Sequence, residues 1–190
     1  KDSVIPQINR IDIADQDGRI LGRPIVTATK VKGKKKDKAP AMVPQSSGPL
    51  TLSRSLEQVS IIVDAFDQAD GNIARRRLGL YELGYQILKA DGTPLPGFEK
   101  PRMTIRFNHL PADEEAVKVA YAENSGITVH GSAATKFLYN ITNEIHDGHA
   151  IIQFWQIKDL AAGDYLIHVH AADYAGNVAN RNHVLRVRLE

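Results

Sequence analysis

The sequence predicts an all-β protein of two tandem β-sandwiches, and three observations carry that expectation. A phrase occurs twice, as Val63-Asp64-Ala65-Phe66-Asp67-Gln68-Ala69-Asp70-Gly71-Asn72-Ile73-Ala74 and as Val169-His170-Ala171-Ala172-Asp173-Tyr174-Ala175-Gly176-Asn177-Val178-Ala179. Each copy follows an alternating apolar run, Ile61/Val63/Ala65 in one and Tyr165/Ile167/Val169/Ala171 in the other, which is the period of a half-buried strand. The other ordered segments are short, and turn residues separate them about every ten positions, as in sandwich folds. Two copies of one small domain follow, Ig-like or fibronectin-like: residues 1–100 with a long basic loop at 32–50, and residues 101–190.

The elements are read in order. Val4 to Ile13 predicts a strand, closed by the turn Asp15-Gln16-Asp17-Gly18. Pro24 to Val31 predicts a second strand. Lys32 to Leu50, with Lys34-Lys35-Lys36, Pro40, Pro44 and Pro49, reads as a long mobile loop. Val59 to Phe66 is the first copy of the repeated strand. Leu78 to Leu88 alternates, with Tyr81, Leu83, Tyr85 and Ile87 on one face, and ends in a hairpin turn at Asp91-Gly92. Pro94, Pro96 and Pro101 cannot donate to a central ladder, so the domain boundary is expected there.

In the second half, Met103 to Phe107 predicts a strand. Pro111-Ala112-Asp113-Glu114-Glu115 suits a helix first turn, giving a short helix to about Tyr121. Phe137 to Ile141 and Ala150 to Ile157 predict strands, the latter buried on both faces and holding Trp155 as core. Gly163-Asp164 turns into the second copy of the repeated strand, and His183 to Leu189 closes the domain.

Bulk properties narrow the function classes. The net charge is +2, too small to imply a nucleic-acid partner. There is no cysteine, which excludes disulfides and thiolate metal sites. No apolar run is long enough for a transmembrane helix. The chain starts at Lys1 without a signal-peptide pattern, so it is expected to be a processed or trimmed piece of a longer polypeptide.

In the repeated phrase, Asp67 and Asp173 stand where a strand leaves its sheet, and an Asp there holds a turn by accepting backbone N–H groups. Gly71-Asn72 and Gly176-Asn177 tolerate positive φ. Turn chemistry is therefore the leading reading. Asp67, Asp70 and Asn72 are also oxygen donors at tight spacing, which defines a candidate calcium site in the first copy; the second copy has no equivalent of Asp70.

A zinc reading competes elsewhere. His109-Leu110-Pro111-Ala112-Asp113 is H-x-x-x-D and His168-Val169-His170 is H-x-H, so His109, Asp113 and His170 could supply three ligands and leave a position for water. The repeat argues against it. His170 aligns with Asp64 and His168 with Ile62, on the face of a strand that points away from the core. His146-Asp147-Gly148-His149 reads as a polar turn. Lys34 to Lys38 and Arg75-Arg76-Arg77 read as solvated basic loops rather than anion-binding patches.

Several phrases resemble the β-rich, Ig-like region that follows the catalytic domain in bacterial envelope proteins of the lysostaphin-like metallopeptidase family. Ile5-Pro6-Gln7-Ile8-Asn9-Arg10-Ile11 resembles its opening I-P-x-I-x-x-I. Ala65-Phe66-Asp67, Gly79-Leu80-Tyr81-Glu82-Leu83 and Asp91-Gly92 resemble its later segments, and the second copy of the repeat resembles the ending G-x-Y-x-[L/I]-x-V-x-A-x-D-x-A-G-N. The basic loop at 32–50 departs from that pattern. The resemblance implies a catalytic domain upstream of Lys1, so no catalytic residue and no cofactor is carried over to this chain. It implies a non-catalytic accessory or binding region, periplasmic or extracellular, whose partner is an envelope protein or a cell-wall polymer. Two alternatives stand beside it: a carbohydrate-binding or adhesin-type module, and a zinc metallopeptidase using the three residues above.

Overall fold

Alternating apolar residues form strands throughout the residues that the computed structural model describes, which are 2–22, 48–72, 76–109, 111–126 and 135–190. In chain order these are β1 (Gln7–Ala14), β2 (Leu50–Leu52), β3 (Gln58–Phe66), β4 (Glu82–Lys89) and β5 (Arg102–Arg106). A five-residue helix α1 (Ala116–Ala120) follows, then β6 (Leu138–Asn140), β7 (Glu144–His146), β8 (His149–Ile151), β9 (Trp155–Gln156), β10 (Gly163–Ala172) and β11 (Val184–Leu189). The fold is all-β, as expected. The strand expected at Pro24 to Val31, most of the loop at 32–50, and the basic residues Lys34 to Lys38 and Arg75 lie outside the described residues.

The strands make two sheets. One has the order β1-β3-β6, with β9 also on β3; the other runs β2-β11-β10-β4-β5-β7-β8. Most pairings are antiparallel, while β2 with β11 and β5 with β7 are parallel. The inward residues of both sheets meet in one core: Ile61, Val63 and Ala65 of β3, Leu83, Tyr85 and Ile87 of β4, and Tyr165, Ile167, Val169 and Ala171 of β10 all belong to it. This is a β-sandwich held by the burial of alternate side chains.

The sheet order corrects the expected division at residue 100. β4 from the first half pairs along its length with β10 from the second, and β3 pairs with β6. The proline-rich segment expected as a domain boundary connects β4 to β5, which are neighbours in one sheet. Alternation reports which face a residue takes; it carries no information on which strand lies alongside. The two copies of the repeated phrase, β3 and β10, are interior strands of the two opposed sheets, so the repeat builds the two layers of one sandwich.

Other expectations were met at element level. The first strand, β5, β6 and β11 lie within a few residues of their predicted ranges, and Trp155 is in the core. The helix is shorter than expected at its start: residues 111–115, read as its first turn, form a bend and turn in which Asp113 accepts the Glu115 N–H, and the helix ends at Ala120, close to the expected end. The buried strand expected over Ala150 to Ile157 is two pieces. β8 is an edge strand whose neighbour Ile152 is 65 % exposed, and β9 joins the opposite sheet, so the chain crosses between layers here. The Asn143 side chain fixes this crossing by accepting the Gln153 N–H at 2.9 Å.

The outward face of β3 also differs from expectation. Ser60, Ile62 and Asp64 are buried. Ile62 packs with Ala14 and Leu138, and Asp64 accepts Asn9 Nδ2 at 2.9 Å and pairs with Arg10 at 3.2 Å. Arg10 also pairs with Asp12 at 2.9 Å.

Candidate functional site

The two repeated strands end at the same end of the sandwich, and their turn aspartates meet there. Oxygens of Asp67 and Asp173 lie with one of Asp2 within 4.8 Å of one another. Among the described residues this is the one cluster of three acidic or imidazole groups with such geometry. It borders a groove of about 430 Å³ that is also lined by Leu80, Tyr81, Phe107 and Tyr174. Tyr81 and Tyr174 meet edge to face at 5.1 Å, and Tyr174 is 85 % exposed.

The second copy of the phrase behaves as turn chemistry demands. Asp173 Oδ1 accepts the Asn177 N–H at 2.8 Å and Asp173 Oδ2 accepts Asn177 Nδ2 at 2.7 Å. The Asp173 N–H donates to the Asn177 carbonyl at 3.1 Å, and Gly176 takes φ +89°. The acceptor thus spans four residues, not the two that an Asx turn would give. Asn177 Nδ2 also donates to the Asp2 carbonyl at 3.2 Å, which brings the N-terminal segment to the cluster.

In the first copy the extra residue breaks this pattern. Gly71 still takes the left-handed conformation, at φ +74°, but the Asn72 N–H donates to the Ala69 carbonyl instead of capping Asp67. Asp67 is 6 % exposed, its backbone pairs with Leu78, and its Oδ1 has no hydrogen-bond partner. Burial pushes the Asp67 carboxyl up to about 6; a backbone hydrogen bond from Gln68 works in the opposite direction, and the charges of Asp173 and Asp2 push it further up.

The candidate calcium set of Asp67, Asp70 and Asn72 is reorganised. Asp70 turns toward Ser3: its Oδ2 accepts the Ser3 N–H at 3.1 Å, and both oxygens contact the Ser3 hydroxyl. The Asp70 N–H donates to Asp2 Oδ1 at 3.2 Å, and Val4 N–H donates to the same oxygen at 3.1 Å. Asp70 is therefore a clamp on residues 2–4, while Asp173 and Asp2 stand beside Asp67. No pattern marks Asp2 in the sequence, and the meeting of Asp67 with Asp173 depends on sheet packing. The equivalence of the two aspartates in the repeat was the one available signal.

The zinc set is not brought together. His170 lies on the outward face of β10 with Nε2 3.8 Å from Glu82 Oε1. Asp113 Oδ1 accepts the Glu115 N–H at 2.8 Å in the turn before α1. His109 follows β5, close enough to Asp147 to help lower that carboxyl. His168 is on the same outward face as His170, as the repeat alignment required, and packs edge-on against His183. His146-Asp147-Gly148-His149 is a two-residue hairpin turn joining β7 to β8, with φ +51° at Asp147 and +79° at Gly148. Arg77 is not a solvated loop residue: it lies 4.3 Å over the Phe66 ring and donates to the Thr135 carbonyl at 3.2 Å.

Comparisons with protein-family models, with curated proteins and with solved structures return no match for this chain.

Proposed function

We propose that this sandwich is a non-catalytic accessory and binding region of a bacterial cell-envelope protein, acting outside the cytoplasm to position a neighbouring peptidoglycan-hydrolase domain or to hold a cell-wall polymer or envelope protein. The observation that carries the reading is how the resembling phrases are used. Tyr165, Ile167, Val169 and Ala171 form core, and Asp173, Gly176 and Asn177 form the turn beyond it. The residues of the competing zinc motif, His109, Asp113 and His170, have separate partners on separate elements. Scaffold is thus the role of the motifs, and loops and edge strands are the surfaces left for recognition. No helix among the described residues is long and apolar enough to cross a membrane.

Co-sedimentation of the purified chain with peptidoglycan sacculi, alongside an outward-face His170→Ala variant, tests the proposal. Retention of both proteins on sacculi is the expected result. A chain that stays in the supernatant while binding other polysaccharides on a glycan array would move the reading to a carbohydrate-binding module. Sacculus cleavage by the parent chain and none by His170→Ala would establish the zinc hydrolase instead.

A further inference from the structure

The aspartate cluster concentrates three carboxylates at the end of the sandwich where both sheets meet the N-terminal segment. Three carboxylates crowd together, and among the described residues none forms an ion pair with a Lys, Arg or His. Repulsion and desolvation make such a cluster costly unless a positive charge joins it. A second observation points to a ligand: Asp67 is more than nine-tenths buried, its carboxyl faces the other two, and its Oδ1 accepts no hydrogen bond. Native interiors rarely leave a carboxylate oxygen so placed.

We propose that Asp2, Asp67 and Asp173 form a divalent-cation site of the calcium class, joining the ends of both sheets to the N-terminal segment. The donors are all hard oxygens, which select calcium-type ions over zinc or copper. Oxygens within 4.8 Å of one another fit around an ion whose bonds are about 2.3–2.6 Å long. Calcium takes six to eight oxygens, and the bordering groove admits the waters that complete the shell. The side chains are held in place before any ion arrives. Asn177 fixes Asp173, and the Val4 and Asp70 N–H groups fix Asp2. The two copies of the repeat therefore contribute one ligand each, and their asymmetry is functional: Asn177 holds both oxygens of Asp173, while Oδ1 of Asp67 is free for the metal.

The test is titration of EDTA-treated, desalted protein with CaCl2, followed by calorimetry and thermal unfolding. Terbium luminescence, with Tyr81 and Tyr174 as sensitisers beside the site, gives an independent readout. The expected result is about one bound equivalent and a Tm rise of roughly 5–10 °C at calcium one hundred times its Kd. Asp67→Asn and Asp173→Asn should abolish both signals. Asp2→Asn, in the half-buried N-terminal segment, should fold like the parent and weaken binding at least about tenfold. Absence of heat, Tm shift and terbium signal at about 10 mM cation, beyond the range of weak extracellular sites, would overturn the proposal. So would calcium binding that is unchanged in Asp2→Asn.

Discussion

A Cβ at position 84 would lie 2.3 Å from the carbonyl oxygen of Arg102, where β5 bulges against β4. Only glycine permits that approach, because the obstacle is backbone and cannot rotate away. Gly84→Ala is expected to lower stability by about 1–3 kcal/mol, read as the midpoint of urea unfolding. Tyr139 is another residue held by decisive contacts: it is fully buried, its hydroxyl accepts the Leu80 N–H at 2.8 Å, and it hydrogen-bonds with the Tyr121 hydroxyl. Tyr139→Phe leaves that N–H unpaired and should cost about 1–3 kcal/mol with little change in packing. Asp67 behaves in the other direction. Its charge is buried beside two more, so in EDTA the Asp67→Asn variant should melt higher than the parent, and the order should narrow or reverse when calcium is added.

At the scale of elements, the β7–β8 hairpin shows how local chemistry sets structure. Positive φ at both Asp147 and Gly148 matches the twist of the flanking strands, and Asn108 Nδ2 anchors the turn by donating to Asp147 Oδ1 at 2.7 Å. Gly148→Ala should cost about 1 kcal/mol, measurable as a small fall in Tm. The turn was legible in the sequence, because Asp-Gly encodes its own geometry, whereas the strand Glu144–His146 before it was not, since three residues with one apolar side chain show no alternation. Longer strands were legible: Tyr165 to Ala171 and Leu83 to Ile87 alternate, and both bury the expected face. Pairing was not legible. Nothing local in Glu82–Lys89 says that its neighbour is Gly163–Ala172, so the interleaving of the halves escaped the pattern. The site was legible by halves: each turn aspartate could be named, but their convergence, and the arrival of Asp2, are products of the sandwich. Ile62 and Asp64 were placed facing solvent because alternation marks them as outward, yet that face of β3 is covered.

At the scale of the whole molecule, the single core makes the halves interdependent. Expressed separately, residues 1–100 and 101–190 should each lack a cooperative thermal transition, since β4 and β10 lose their longest partner. Acid sensitivity is also a global property with a local origin. Burial, and then the neighbouring His183, hold His168 below its ordinary value of 6.5. The neutral form is favoured in the fold, so this contribution is complete above about pH 6.5 and is lost as pH falls through the lowered value. A Tm that declines in mild acid, and declines less in His168→Gln, is the expected outcome.

The place of β10 between β4 and β11 has a consequence for how the protein is made. About eighty residues separate β4 from its partner along the chain. At ribosomal speeds, that gap is roughly 4 to 16 seconds of synthesis. Throughout that interval one hydrogen-bonding edge of β4 has emerged without its native neighbour, which is the condition in which strands recruit the wrong one. The arrival of Gly163–Ala172 closes that window, so a nascent chain stalled before it would be an aggregation-prone intermediate rather than half of a finished protein.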